Sequence, residues 1–238
     1  MRCPLHNAGR IDRALACYTA AALKGTLVTE LPLLEITDVY CERDDRVLFS
    51  ALNWRAVDGE IWQVAGVNGA GKTTLMRILA GLHGFFDGDV RWPRWQAQQQ
   101  DPRQHFLYLG HKAGMRDELT PLENIRWWTS LHGDMVDDAK IFPALAVLGL
   151  AGYETVPCAQ LSAGQKRRVA LSLLWIMNKV VWLLDEPFTA LDADGVTLIE
   201  NQLREHAAGG GLVIYSSHHR FDDAVRHVRL GHGEVDVA

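Results

Sequence analysis

The chain has 238 residues, of which 48% are apolar, enough for one large domain or a domain with an insertion and too many for a disordered polymer. A formal net charge of -5 argues against a surface built to hold nucleic acid, which would carry a basic excess. The four cysteines, Cys3, Cys17, Cys41 and Cys158, form no CxxC pair, so neither a zinc site nor a dithiol redox motif is indicated, and scattered single thiols suit a reducing compartment.

No run reaches the roughly 18 to 20 apolar residues needed to cross a bilayer. "VVWLL" at 180 to 184 has the length of a buried strand. Residues 1–32 read as an N-terminal extension. "RIDRALACYTAAALKG" in it has the composition of an Ala-rich helix closed by Gly25, and is too polar and ragged for a secretory signal. From Leu33 the pattern becomes regular. "LLEITDVYCE" and "RVLFSALNWRAV" alternate as strands of an antiparallel sheet. "GEIWQVAGV" is a strand running into a glycine-rich loop, and "KTTLMRILAGL" a helix closed by Gly81 and Gly84. "GDVRW" is a short strand, the polar residues 94–105 a loop, and "FLYLGH" another strand.

Residues 113–160 change character. "TPLENIRWWTSLHG" opens with Thr120 as N-cap, Pro121 in the first turn and Glu123 at the third position. "DDAKIFPALAVLGL" continues helically with an interruption at Pro143. The α/β pattern then resumes with a helix over 163–178, the strand "VVWLLDE", a helix over 193–208 and the strand "GLVIYSSHH". The chain thus divides into an α/β core over 33–112 and 161–238 and an inserted helical subdomain over 113–160.

"GVNGAGKTT", from Gly66 to Thr74, satisfies the phosphate-loop pattern G-x-x-x-x-G-K-[ST] between a strand and a helix. Its glycines, Gly66, Gly69 and Gly71, let the backbone through Val67, Asn68 and Ala70 bend so that N–H groups point inward at phosphate oxygens. The helix start that carries Thr74 adds partial positive charge. Lys72 brings a point charge to the outer phosphates of a bound nucleotide, and the Thr73 hydroxyl can ligate Mg²⁺. "VVWLLDEP" supplies the complement. Asp185 would hold the metal through its hydration shell, and Glu186 is placed to orient and polarise an attacking water.

Three further stretches, in the same order along the chain, resemble the ABC ATPases. "LSAGQ" resembles their signature turn, "FTALD" at 188–192 their D-loop, and "SSHH" at 216–219 the strand end bearing their switch histidine, with His218 the better match than His219. The resemblance spans about 33 to 230 and implies an α/β fold of P-loop ATPase type, with an antiparallel β subdomain and an inserted α-helical subdomain. Within the family, "CERDDRVLF", "YLGHKAGM", "LTPLENI", "LSAGQKRRVAL" and "LDEPFTALD" resemble the ATP-binding subunits of cytochrome c maturation systems, also described as heme exporter ATPases. The station where the wider family carries a glutamine, counted back from Glu123, is His111, which suits that subgroup. Ala163 and Val67 replace a glycine and a proline of the general pattern, which is tolerable where neither needs a positive φ. The adenine-stacking station falls near Arg43, which can stack by its planar cation, and Tyr40 is close enough in sequence to reach.

The resemblance implies ATP and Mg²⁺ as ligands, and catalytic roles for Glu186, His218 and His111. It further implies an ATP-dependent homodimer in which Ser162, Gly164, Gln165 and Asp192 of one subunit complete the site of the other. It implies a place on the cytoplasmic face of the bacterial inner membrane, held by integral membrane subunits and linked indirectly to a heme chaperone whose release ATP hydrolysis drives. The competing readings are the ATPase of another small ABC exporter and a soluble, non-transport ABC ATPase. No residue pattern here resembles a heme attachment site, since CxxCH is absent. Trp127 and Trp128 suit core packing first and partner docking second.

Overall fold

The computed structural model describes residues 31–238 apart from 112–113, 220, 222–224 and 232. The Ala-rich helix expected before Gly25, with Cys3 and Cys17, lies outside the described residues. Strands β1 (Leu34–Arg43) and β2 (Arg46–Ala56) pair antiparallel, with Arg43 opposite Arg46. The two residues between them, Asp44 and Asp45, have φ of 54° and 58°. Two successive left-handed residues match the twist of paired strands, and Asp tolerates that region better than most side chains. Strand β4 (Asp87–Arg91) adds to the other side of β1, giving a three-stranded antiparallel sheet.

Six strands form the second sheet: β3 (Ile61–Gly66), β5 (Phe106–Leu109), β6 (Val181–Asp185), β7 (Leu212–Ser216), β8 (Arg226–Gly231) and β9 (Glu234–Val237), in the order β5-β6-β7-β3-β8-β9. All pairings are parallel except β8 with β9. Strands β6 and β7 are buried along their whole length, which explains their continuous apolar runs. Alternate residues still divide between two cores. Val181, Leu183, Leu212 and Ile214 face helix α1 (Lys72–Leu79), through Leu75 and Met76, and the antiparallel sheet. Trp182, Leu184, Val213 and Tyr215 face Ile199 and Leu203 of helix α7 (Ala193–Ala208) and the inserted helices. This order sets the carboxyl ends of β3, β6 and β7 side by side, at Gly66, Asp185 and Ser216, the edge at which open α/β sheets bind ligands.

The inserted helices are α3 (Pro121–Leu131) and α4 (Asp138–Val147). Thr120 and Glu123 form the expected capping box, with Glu123 N–H donating to Thr120 Oγ1 at 3.2 Å and Thr120 N–H to Glu123 Oε2 at 2.9 Å. The bonds its carboxylate accepts from the Thr120 N–H and, second, from the Thr120 hydroxyl hold the Glu123 carboxyl below its usual range. Helix α4 runs through Pro143 without the expected interruption. The lost backbone hydrogen bond is offset by burial of Ile141, Ala144 and Leu145 on both sides of the proline.

Three further expectations change. Residues 94–105 are not a loop throughout. Helix α2 (Pro93–Ala97) and a 3₁₀ turn (Pro102–His105) occupy them, because Trp95 in this polar stretch is buried, stacks on His105 at 4.7 Å and meets Phe106. The helix expected over 163–178 is two, α5 (Ala163–Leu171) and the single turn α6 (Leu173–Ile176). At the junction Ser172 is fully buried and its hydroxyl donates back to the Val169 carbonyl at 2.7 Å, a side-chain bond that competes with the helix ladder. Strands β8 and β9 were not foreseen at all.

Asn124 is the polar keystone of the insertion. It is 0% exposed; its amide nitrogen donates to the carbonyls of Arg116, Leu119 and Thr120 at 3.0, 3.2 and 3.1 Å, and its oxygen accepts from Arg116 N–H at 2.8 Å. Asn124→Ala leaves these buried groups without partners, at a cost of about 2–3 kcal/mol. Thermal unfolding followed by circular dichroism should show a midpoint lower by roughly 4–12 °C for a chain of this size, and an unchanged midpoint would show that the loop needs no such tie.

Candidate active site

The loop leaving β3 turns through Gly66, Gly69 and Gly71, with φ of 151°, 80° and 100°. Gly66 also packs closely, since a Cβ there would lie 2.5 Å from the Leu230 carbonyl oxygen of β8. Val67 and Ala163 are both outside the positive-φ region, so their side chains are accommodated as the sequence anticipates. Gly71 caps α1, whose first N–H groups face the loop. Lys72 is 8% exposed, so it is not a solvent-facing side chain. It folds back over the loop, donating to the Gly66 carbonyl at 2.8 Å, and stands 3.0 Å from His218 Nε2 and 3.9 Å from Glu186 Oε1.

His218 Nε2 also lies 2.9 Å from Asn68 Oδ1. One ring nitrogen cannot accept from Lys72 and donate to Asn68 together, so the tautomer selects which bond forms. His219 turns elsewhere, bonding Glu200 Oε1 at 2.8 Å and packing on Phe188. Of the two histidines, His218 is the one at the loop.

Asp185 is 1% exposed and held by two hydroxyls. Thr73 Oγ1 donates to its Oδ2 at 2.9 Å and Ser216 Oγ to its Oδ1 at 2.6 Å. Hard divalent cations choose oxygen ligands of this kind, and Thr73 and Asp185 bring two together. Among the described residues no group of three or more His, Cys, Asp or Glu side chains is arranged to hold a metal. A cation here would therefore share its shell with phosphate oxygens and water, as Mg²⁺ commonly does.

Glu186 follows with φ of 52°. A non-glycine residue in that region costs on the order of 1–3 kcal/mol and must be held by its surroundings. Its N–H donates to the Ser216 carbonyl and Oγ, both at 3.0 Å. Its side chain lines a cavity of about 550 Å³ together with Asn68, Lys72, Thr73, Thr74, His111 and residues of the β1–β2 hairpin. Arg43 and Leu48 are among the latter; Tyr40 is not, and its hydroxyl is turned to Glu42 Oε2 at 2.6 Å.

The signature residues stand apart from this cavity. Ser162 caps α5 and forms a capping box with Gln165, at 3.2 Å and 2.9 Å. Gly164 lies against the Ala190 carbonyl, where a Cβ would approach to 2.9 Å. Asp192 caps α7 by accepting from Gly195 N–H at 3.0 Å and pairs with Arg168 at 2.7 Å; the backbone bond first and the guanidinium second hold its carboxyl below the usual range. None of these four lines the cavity.

Two residues at the site were not anticipated. Ser216 was visible only as the first letter of "SSHH". Arg167 was one of three consecutive cations in "LSAGQKRR", and it alone is buried. Lys166 and Arg168 also stand three and four residues from buried positions, Val169 and Ala170 for the one and Leu171 and Ser172 for the other, so helical spacing alone does not single Arg167 out.

The match to known proteins is extensive. The ABC transporter family model matches residues 49–189. The cytochrome c biogenesis ATP-binding export protein CcmA of Alcanivorax borkumensis is 53% identical over 204 residues, covering 86% of this chain and 90% of that protein. The protein of the same name from Vibrio cholerae is 47% identical, covering 84% and 99%. Among solved structures, an ATP-binding subunit of an ABC transporter superposes with a TM-score of 0.73 at 24% identity, covering 85% of this chain and 88% of its own. The ATP-binding cassette MJ1267 in its ADP conformation superposes at 0.66 and 18%, covering 87% and 90%. The structural likenesses carry the expected fold, and the sequence matches carry the family: this chain belongs to the ABC transporters, as an ABC-type ATPase subunit.

Proposed function

We propose that the chain hydrolyses MgATP as the motor of a membrane complex in c-type cytochrome biogenesis. The chemistry rests on Lys72, Thr73 and Glu186 lining one cavity, with Asp185 bonded to Thr73 and His218 against Lys72. In this reading the loop N–H groups and Lys72 bind the β- and γ-phosphates. Thr73 and Asp185 hold Mg²⁺, which supplies charge neutralisation on the phosphates. Glu186 orients and polarises the attacking water, and His218 donates to the γ-phosphate as charge builds on it. His111, on the cavity wall, senses metal and water. Residues 113–160 act as the helical subdomain of an α/β core over 33–112 and 161–238. The cytochrome c assignment is supported by the 53% and 47% identities to proteins named CcmA. It implies integral membrane partners at the cytoplasmic face of the inner membrane and an indirect link to a heme chaperone.

The position of Ser162, Gly164, Gln165 and Asp192 outside the cavity supports a two-fold dimer. Each nucleotide would lie between one subunit's Lys72 and the other's Ser162. An α5 start offers N–H groups and a hydroxyl to an anion from that second side.

Lys72→Ala should weaken ATP binding about 30- to 100-fold, the worth of a charge-assisted bond, while shifting the unfolding midpoint little; isothermal titration and thermal unfolding measure the two. Normal binding would remove the loop assignment. Glu186→Gln should keep ATP binding and lower turnover by about 10²- to 10⁴-fold; single-turnover hydrolysis tests it, and near wild-type rates would move the catalytic carboxylate elsewhere. A mixed dimer of Lys72→Ala and Ser162→Arg chains, both carrying Glu186→Gln, should trap one ATP per dimer, whereas trapping none in verified heterodimers would mean the signature turn serves its own chain.

A further inference from the structure

Helix α5 carries more than the signature turn at its start. One turn further on, Arg167 is 6% exposed and points beneath the active-site edge of the sheet. One terminal nitrogen donates to the Asp185 carbonyl at 3.0 Å and to the Glu186 carbonyl at 2.9 Å; the other donates to the Gly110 carbonyl at 3.0 Å. All three acceptors are main chain. Burial lowers the pKa of the guanidinium, and the charges of Asp185 and Glu186 oppose that shift, which helps keep it a cation.

The geometry of these bonds is informative. In an extended strand successive carbonyls point to opposite sides. Here two consecutive carbonyls accept from one nitrogen, which is possible because Glu186 departs from the strand at φ 52°. Pro187 follows, and a residue before proline prefers extended backbone. Left to itself the Glu186 backbone would relax toward that region and carry its side chain with it. Ser216 holds the Glu186 N–H from one side, and Arg167 holds the Glu186 carbonyl from the other. The third bond fixes Gly110, the residue before His111.

We propose that Arg167 is a positioning residue for ATP hydrolysis: its guanidinium clamps the main chain of Asp185, Glu186 and Gly110 and so sets the Glu186 carboxylate and His111 at the cavity. This rests on the role of Glu186 proposed above. The planar fork suits three carbonyls in two directions, which a lysine ammonium cannot match.

The test compares wild type, Arg167→Lys, Arg167→Ala and Glu186→Gln by ATP titration, steady-state hydrolysis and thermal unfolding. For Arg167→Lys, kcat should fall about 10- to 100-fold while ATP Kd and KM stay within about threefold, the pattern of a catalytic group misplaced by a fraction of an ångström. Millimolar guanidinium should restore part of the Arg167→Ala rate, and equal methylammonium should not. Wild-type turnover in Arg167→Lys overturns the proposal. So does a joint loss of ATP affinity, thermal stability and kcat without guanidinium rescue, which would make Arg167 a packing element only. If Glu186→Gln is inactive and Arg167→Lys fully active, only the Arg167 proposal fails; if Glu186→Gln itself turns over normally, both fall.

Discussion

A carboxylate buried to 1% exposure is costly unless every oxygen finds a donor. Asp185 meets that condition through hydroxyls from two other elements, Thr73 on α1 and Ser216 on β7. The bonds need β6, β7 and α1 at one height and one spacing. The parallel register of Asp185 with Ser216 provides it, and Val64 of β3 pairs with the same serine. The metal-binding chemistry and the sheet topology are thus one constraint. A shift of β6 against β7 by one residue would strand the carboxylate and turn Trp182 and Leu184 to the wrong core.

Around this fixed point the chain departs from easy backbone geometry in one short segment. Glu186 and Ala190 both have positive φ, at 52° and 63°, between β6 and α7. The Glu186 backbone is held by Ser216 and Arg167, and the carbonyl of Ala190 meets Gly164 at a point where no side chain fits. Besides the Arg168–Asp192 pair, the signature helix therefore touches the catalytic segment by a glycine, Gly164, and by the buried Arg167. The glycine was legible as part of a motif, and the arginine was not.

That contrast explains what the sequence could and could not reveal. The phosphate loop, the strand ending in Asp185 and Glu186, and the Thr120 cap are written in consecutive residues, so their chemistry is local and readable. Alternation marked β1 and β2 as antiparallel strands, and the resemblance to the ABC ATPases, not periodicity, implied the α/β core with its antiparallel subdomain. Arg167 and Ser216 act through partners far away in sequence, and neighbouring letters of similar type, Lys166, Arg168 and Ser217, hide them. The polar run 94–105 concealed a helix because Trp95 anchors it against Phe106. The break at Ser172 comes from a side-chain bond that needs no glycine or proline. Lys72 is buried because it folds back over the loop onto the Gly66 carbonyl, a contact that no neighbouring residue announces. The division of labour among Glu186, His218 and His111 stays with the function proposed for them.

The space denied to a side chain at Gly66 has a consequence for the order of folding. The backbone that crowds it belongs to Leu230 on β8, and the adjoining hairpin is tied to β2 through Ser50, whose hydroxyl donates to the Gly233 carbonyl at 2.8 Å. The floor under the phosphate loop is thus built from chain synthesised long after the loop itself. Contacts of such separation form late, after the entropy of closing the intervening chain has been overcome. On the ribosome, the strand, turn and helix around Gly66 can exist early as local structure, but their rigid support arrives only with β8. The floor of the phosphate loop is therefore complete only once β8 has paired with β3.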